Sequence, residues 1–377
     1  MFIHQFPFIT HCLLIALLMT GTVSAQKQVT PSDKASVTPI SLPEHLRGFN
    51  TNSRYVDGEL VKRLHKWGAN VIRINIHTDL GHTVPDTLSV ENALIPYVKG
   101  IANIDSALEQ CKKLGIKVIL CPSNIVGRKI DVFWQKDSGQ NYRDHLAQLW
   151  IALDQRYHGH PAIIAYDVLN EPNYKNGQSD SWHKDMLPKA IAAIRSVNKR
   201  IWLIIEPGPW GLPSGFVNQP VIDDPYVIYS FHHYAPHNYT HQGVRKKREH
   251  TRGKLVYPGK LQMFDTSPLI EWNLQQLEAS MQAAIDFAKK NKVRMLVGEF
   301  GLPRWAPGRG QWVTDSIAIF EKHGFDWLFH TPCGWTGWNP TFPDGDAKDQ
   351  MLMGKDSDGG AITEQLKALQ MGLKRNN

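Results

Sequence analysis

Cysteine is scarce in this chain. Four occur in 377 residues, at Cys12, Cys111, Cys121 and Cys333, and no Cys-x-x-C is present. That excludes a disulfide framework and the usual zinc or dithiol signatures. Cys111 lies on an apolar helical face and Cys121 at the end of an apolar run, so both read as core thiols. Long apolar runs are lacking too. The run Cys12-Leu-Leu-Ile-Ala-Leu-Leu-Met19 is too short for a bilayer, which needs roughly 20 residues. A small-residue stretch, Val23-Ser24-Ala25, follows it. Residues 1–25 are therefore expected to be a signal peptide, with a secreted or periplasmic mature chain. No G-x-G-x-x-G follows an early strand, which weighs against a dinucleotide fold. No G-x-S-x-G or H-E-x-x-H occurs, which disfavours a serine hydrolase and a zinc hydrolase. Repeats and low-complexity blocks are missing as well.

Residues 26–43 are polar and rich in Ser, Thr and Pro, as a linker or disordered lead-in would be. Residues 44–377 remain, roughly 330 residues with no second composition shift, which suits one large domain. A chain of this length buries a large core without cross-links. Formal net charge is +7, and much of the excess sits in Arg245-Lys-Lys-Arg248, Arg252 and Lys254. This run reads as a solvated loop with at most a weak attraction to acidic surfaces. No nucleic-acid-binding module accompanies it.

Short β-branched runs alternate with amphipathic segments. Strands are expected at Leu46–Asn50, Val71–Ile76, Ile116–Cys121, Ile163–Asn170, Ile201–Glu206, Tyr226–His232, Val293–Glu299 and Phe325–His330. Their near-continuous apolar character is that of parallel strands buried on both faces. Helical spacing links them, at Ile101, Ile104, Leu108, Cys111 and Leu114, and again at Leu274, Leu277, Met281, Ile285 and Ala288. Lys113-Leu-Gly115 and Lys322-His-Gly324 look like helix ends. Eight such alternations predict an α/β fold, a single-domain (β/α)8 TIM barrel.

Polar residues gather where these strands end: Asn170-Glu171-Pro172, Glu299-Phe-Gly301, His232-His-Tyr234 and Glu206-Pro-Gly208, with Arg73 inside the second strand. In a barrel all those ends open on one face, where catalysis takes place. An apolar strand has no structural need for a carboxylate at its end. Two carboxylates half a barrel apart can meet across the mouth. Glycosidic cleavage needs such a pair, one protonated and one ionised, held roughly 5–5.5 Å apart in retaining enzymes. Glu171 is the expected acid/base and Glu299 the expected nucleophile. Arg73 would keep Glu299 charged, Tyr234 could donate a hydrogen bond to it, and Asn170 could bond a sugar 2-hydroxyl. Each motif also has a plainer meaning: a strand cap, a buried Glu299–Arg73 pair, or core histidines at His232 and His233. A metal at His232 is not expected, since no second ligand lies at metal spacing in the sequence.

In that ordered set the chain resembles glycoside hydrolase family 5, the cellulase and mannanase family of retaining (β/α)8 barrels. The similarity runs from about Leu46 to Trp338, through Leu46-Arg-Gly-Phe-Asn50, Leu64-His-Lys-Trp-Gly-Ala-Asn-Val-Ile-Arg-Ile74, Val168-Leu-Asn-Glu-Pro172, Phe231-His-His-Tyr234 and Val297-Gly-Glu-Phe-Gly301. The resemblance implies roles for Arg73, Asn170, Glu171, His232, Tyr234 and Glu299. Two departures stand out. The third strand ends Val118-Ile-Leu-Cys-Pro-Ser-Asn124 without the family's histidine, leaving Asn124 or His77 to take part of that role. The sugar-platform tryptophan expected at the eighth strand falls to Trp335, ahead of Trp338. Twelve tryptophans are present, and Trp134, Trp210, Trp305, Trp335 and Trp338 fall in loops after strands, where stacking on sugar faces would build a cleft. The implied activity is endo-β-1,4-glucan hydrolysis. Mannan hydrolysis, exo action and a non-catalytic glycan-binding barrel are the alternatives. A monomer acting on β-linked poly- or oligosaccharide is expected, with no cofactor and no metal.

Overall fold

A computed structural model describes residues 40–79, 89–124, 140–173, 181–344, 353–354 and 358–376. Residues 1–39, with the expected signal peptide and most of the lead-in, and Trp134 lie outside the described residues. The β-branched runs form eight parallel strands: β1 (Arg47–Asn52), β2 (Val71–His77), β3 (Lys117–Asn124), β4 (Ile163–Asp167), β5 (Trp202–Ile205), β6 (Val227–His233), β7 (Met295–Phe300) and β8 (Asp326–Phe329). Neighbours in sequence pair in space, and β8 closes on β1 through Gly48 and Leu328, making the expected closed barrel.

The interior is layered. Leu46, Val71, Ile119, Ala165, Ile204, Ile228, Leu296 and Leu328 form an apolar plug, fully buried. Side chains alternate across a strand, so the residue two further along faces the same interior. That step takes Val71 to Arg73, Ile119 to Cys121, Ala165 to Asp167, Ile204 to Glu206 and Leu328 to His330. Apolar filling thus gives way to a charged layer within two residues on several strands, and that layer forms the floor of the site. At the other end Ile40 and Leu42 pack under the plug. Trp202 Nε1 donates to the Ile40 carbonyl at 2.8 Å, and Arg294 Nη2 to that of Pro43 at 3.0 Å. The end of the stretch expected as lead-in is therefore part of the barrel.

The helix Val98–Leu114 ends on Gly115 in the left-handed region (φ 73°), as its Lys-Leu-Gly spacing suggests. One expected helix is two. Leu274–Ser280 starts on the Asn273 side chain, and a second helix, Gln282–Asn291, starts after Met281. Leu277, Met281 and Ile285 stay on one buried face, so the break leaves no trace in the apolar period. An antiparallel hairpin, Gly259–Gln262 with Leu269–Trp272, precedes them and was not anticipated. Leu269 and Ile270 in it are exposed, so it lacks the alternation that marks a half-buried strand. Among the described residues no helix is long and apolar enough to cross a membrane.

Candidate active site

Arg73 stands at the centre of the charged layer, with no exposed surface. Its Nε donates to Asp167 Oδ2 at 2.8 Å, Nη2 to Glu206 Oε1 at 2.7 Å and to Asn170 Oδ1 at 2.9 Å. Its Nη1 donates to Asn50 Oδ1 at 3.1 Å, Asn75 Oδ1 at 2.9 Å and Glu299 Oε1 at 3.1 Å. One guanidinium fork thereby ties together strands β1, β2, β4 and β7 and the end of β5. A buried cation of this kind is tolerable only when so fully paired.

Glu299 is held at both oxygens. Oε1 takes Arg73 and, at 3.3 Å, Asn75 Nδ2; Oε2 accepts the Tyr234 hydroxyl at 2.8 Å. Burial opposes its charge, but His232, His330, Arg73 and the Tyr234 bond outweigh burial and hold the carboxyl well below its usual range. The register between β6 and β7 shifts after Phe231, so that His232 lies opposite Glu299. Gly298 makes room there: a Cβ on it would sit 2.5 Å from Ser230 Oγ and 3.3 Å from His232 Nε2.

Glu171 follows β4 with φ 46°, a left-handed backbone that non-glycine residues rarely adopt. Its N–H donates to Glu206 Oε2 at 2.7 Å, and its Oε1 lies 2.9 Å from His232 Nδ1. The Trp210 N–H donates to the Pro172 carbonyl at 3.1 Å, which fastens this turn to the segment after β5. A Glu171 oxygen, a Glu299 oxygen and a His232 ring nitrogen all lie within 4.8 Å of one another. Burial alone would discharge His232, but Glu206, Glu299 and the bond to Glu171 raise its pKa well above the ordinary histidine value.

Metal-ligand spacing, missing from the sequence, thus exists in space at Glu171, His232 and Glu299. Those atoms already pair within the site, and Arg73 supplies the positive charge a cation would bring.

A family model described as "Cellulase (glycosyl hydrolase family 5)" matches residues 33–340. The chain belongs to glycosyl hydrolase family 5. Endoglucanase C of Acetivibrio thermocellus is 28% identical over 244 residues, covering 59% of this chain and 70% of that protein. Cellodextrinase A of Ruminococcus flavefaciens is 24% identical over 294 residues, covering 75% and 79%. The endoglucanase Cel5A structure from Thermotoga maritima superposes with a TM-score of 0.62 at 21% identity, covering 83% of this chain and 90% of that one, and shares its fold.

Against the family pattern, the third and eighth strand ends diverge. Asn124 is the last residue of β3 and lies opposite His77; its side chain is outside the described residues. At the end of β8 stands His330, not a tryptophan, with Nδ1 3.7 Å from Glu299 Oε2. Trp338 borders the carboxylate site through two of its residues. Its ring meets Tyr234 at 5.3 Å and His330 at 5.5 Å, edge to face. Trp335 instead meets Trp305 at 5.7 Å, edge to face. Trp210 is 49% exposed beside the Glu171 turn, the most open of the described tryptophans named for the cleft. Arg73, Asn170 and His232 are all buried; Arg73 and His232 meet the two carboxylates directly, and Asn170 meets Arg73. His233, two-faced in the sequence, is a core residue stacked on Trp312.

Sequence reasoning assigned no role to Asn50, Asn75, Asp167, Glu206 or His330. The usable signal was the two-residue step from plug to polar layer, which selects Asp167, Glu206 and His330. The basic run is likewise only partly a solvated loop. Arg252 lies over the Trp305 ring at 3.8 Å, and Arg248 donates to Asn238 Oδ1 at 2.8 Å; Arg245, Lys246, Lys247 and Lys254 are exposed.

Proposed function

We propose that this family 5 glycoside hydrolase is a retaining endo-β-1,4-glucanase, with Glu299 as nucleophile and Glu171 as general acid/base. The observation that carries the mechanism is that one oxygen of Glu171 and one oxygen of Glu299 lie within 4.8 Å of each other. An inverting pair needs roughly 6.5–9.5 Å to seat a water, whereas roughly 5–5.5 Å suits covalent catalysis. Glu299, ionised and in the grip of Arg73 and Tyr234, attacks the anomeric carbon. Glu171 gives its proton to the departing glycosidic oxygen. It then takes a proton from the water that releases the sugar from Glu299. The endoglucanase C relative supports the endo-acting β-1,4-glucan choice, and the cellodextrinase A relative fits the same glucan in shorter chains. We also propose that the mature protein is exported, on the strength of the leader-like residues 1–25.

The test is hydroxyethylcellulose hydrolysis followed by viscosity and by reducing ends. Endo action drops viscosity well ahead of reducing-end release. Proton NMR of the first product from cellotetraose should show the β-anomer. An α-anomer would rule out retention, and undiminished hydrolysis by Glu299→Gln would end the nucleophile assignment.

A further inference from the structure

Glu206 sits at the end of β5 and is 1% exposed, so it does not face substrate. Both of its oxygens are nevertheless committed to the catalytic machinery. Oε2 accepts the Glu171 N–H at 2.7 Å. Oε1 accepts Arg73 Nη2 at 2.7 Å and lies 3.2 Å from His232 Nε2. Space for it depends on Gly211, where a Cβ would come within 2.9 Å of Oε2. Burial alone would raise the Glu206 carboxyl, but His232 and Arg73 hold it below its usual range, so it is a carboxylate.

These contacts are not equally replaceable. Arg73 keeps Asp167, Asn50, Asn75 and Asn170 without Glu206, and Glu299 keeps Arg73, Asn75 and Tyr234. The Glu171 side leans on Glu206 twice. Its strained backbone N–H ends there, and the imidazole that bonds its carboxylate faces Glu206 through its other nitrogen at 3.2 Å, a charge contact. A left-handed non-glycine residue persists only when its surroundings over-determine it. We propose that Glu206 is a positioning residue for the general acid/base: it fixes Glu171 through the main chain and through His232. This rests on the assignment of Glu171 above.

Leaving-group dependence tests it on the full chain. A dinitrophenyl β-cellobioside departs without protonation, while a phenyl β-cellobioside needs the acid. General acid catalysis contributes on the order of 10²–10⁴-fold. Glu206→Gln should therefore lose about 100-fold in kcat/KM on the phenyl substrate and less than about 3-fold on the dinitrophenyl one. Glu206→Asp keeps the charge but is one methylene too short to reach the Glu171 N–H, and should show the same split if Glu206→Gln folds poorly. Equal losses on both substrates, or no loss, overturn the proposal. Glu171→Gln serves as the reference. If it lacks the split, the acid/base assignment itself fails; if it shows the split and the Glu206 variants do not, only the role of Glu206 falls.

Discussion

The Nδ1 atom of His330 lies 3.7 Å from Oε2 of Glu299, at the end of the strand that closes the barrel. Burial lowers the pKa of His330, and His232 and Arg73 add to that; Glu299 and Glu171 pull the other way without prevailing. The imidazole is thus neutral at neutral pH. On acidification the proton arrives beside the oxygen that must attack, and an ion pair then competes with the sugar for Glu299. His232 lies at the same 3.7 Å, but its pKa is raised well above the ordinary histidine value, so it is already charged before the acid limb begins. The acid limb of kcat/KM against pH should therefore carry His330. Its replacement by Asn should move that limb to lower pH and leave the alkaline limb in place. An acid limb that does not move would make the contact a passive one.

The Tyr234 hydroxyl offers a second test. Burial, then Glu299 and Glu171, push its pKa well up, so it remains a donor at working pH. A hydrogen bond to a charged acceptor is worth about 1.5–3 kcal/mol. Tyr234→Phe keeps the ring against Trp338 and removes that bond alone. The expected loss in kcat/KM on hydroxyethylcellulose is about 10- to 150-fold. A loss under about 3-fold would show that the bond does not serve the transition state.

The cationic loop makes a prediction about substrate charge. Arg252 and Arg248 anchor it to Trp305 and Asn238, beside the wall that carries Trp335. Arg245, Lys246, Lys247 and Lys254 point outward and give a positive field that salt screens. The KM for carboxymethylcellulose should rise several-fold between low salt and about 0.3 M salt, while that for neutral hydroxyethylcellulose stays flat. Lys246→Gln with Lys247→Gln should flatten the carboxymethylcellulose response. Equal salt dependence on both polymers would mean the loop field does not reach the cleft.

The barrel was legible because buried parallel strands are written as continuous β-branched runs, and all eight are present within a few residues of their expected ends. Glu171 and Glu299 were legible because a carboxylate at the end of such a run has no packing reason to be there. Glu206 ends a run in the same way, but its service to Glu171 depends on how β4 and β5 sit side by side. Spacing along one chain does not encode that. Trp335 and Trp338 are three residues apart in one loop, and only the fold decides which ring turns toward Tyr234. The split of the basic run into two inward arginines and four outward cations was hidden for the same reason: charge marks a surface, and it takes Trp305 and Asn238 to draw part of it inward.

His233 carries a stability prediction with a definite sign. It is buried on Trp312 at 5.4 Å, nearly parallel, and burial pushes its pKa down to about 3. Unfolded, it takes a proton near the ordinary histidine value of about 6.5. Between those two values the unfolded chain binds the proton and the folded chain does not. Stability should therefore be intact above about pH 6.5 and decline as pH falls toward 3, by up to about 1.4 kcal/mol per pH unit from this group. His145 and His237, each lowered by burial to about 4, slope the same way. Thermal unfolding followed from pH 7.5 to 4 should show Tm falling in the wild type. In His233→Phe the aromatic packing stays, the titrating group is gone, and the fall should be shallower. Parallel Tm curves for the two proteins would mean that His233 is protonated in the folded state after all, in conflict with its apolar surroundings.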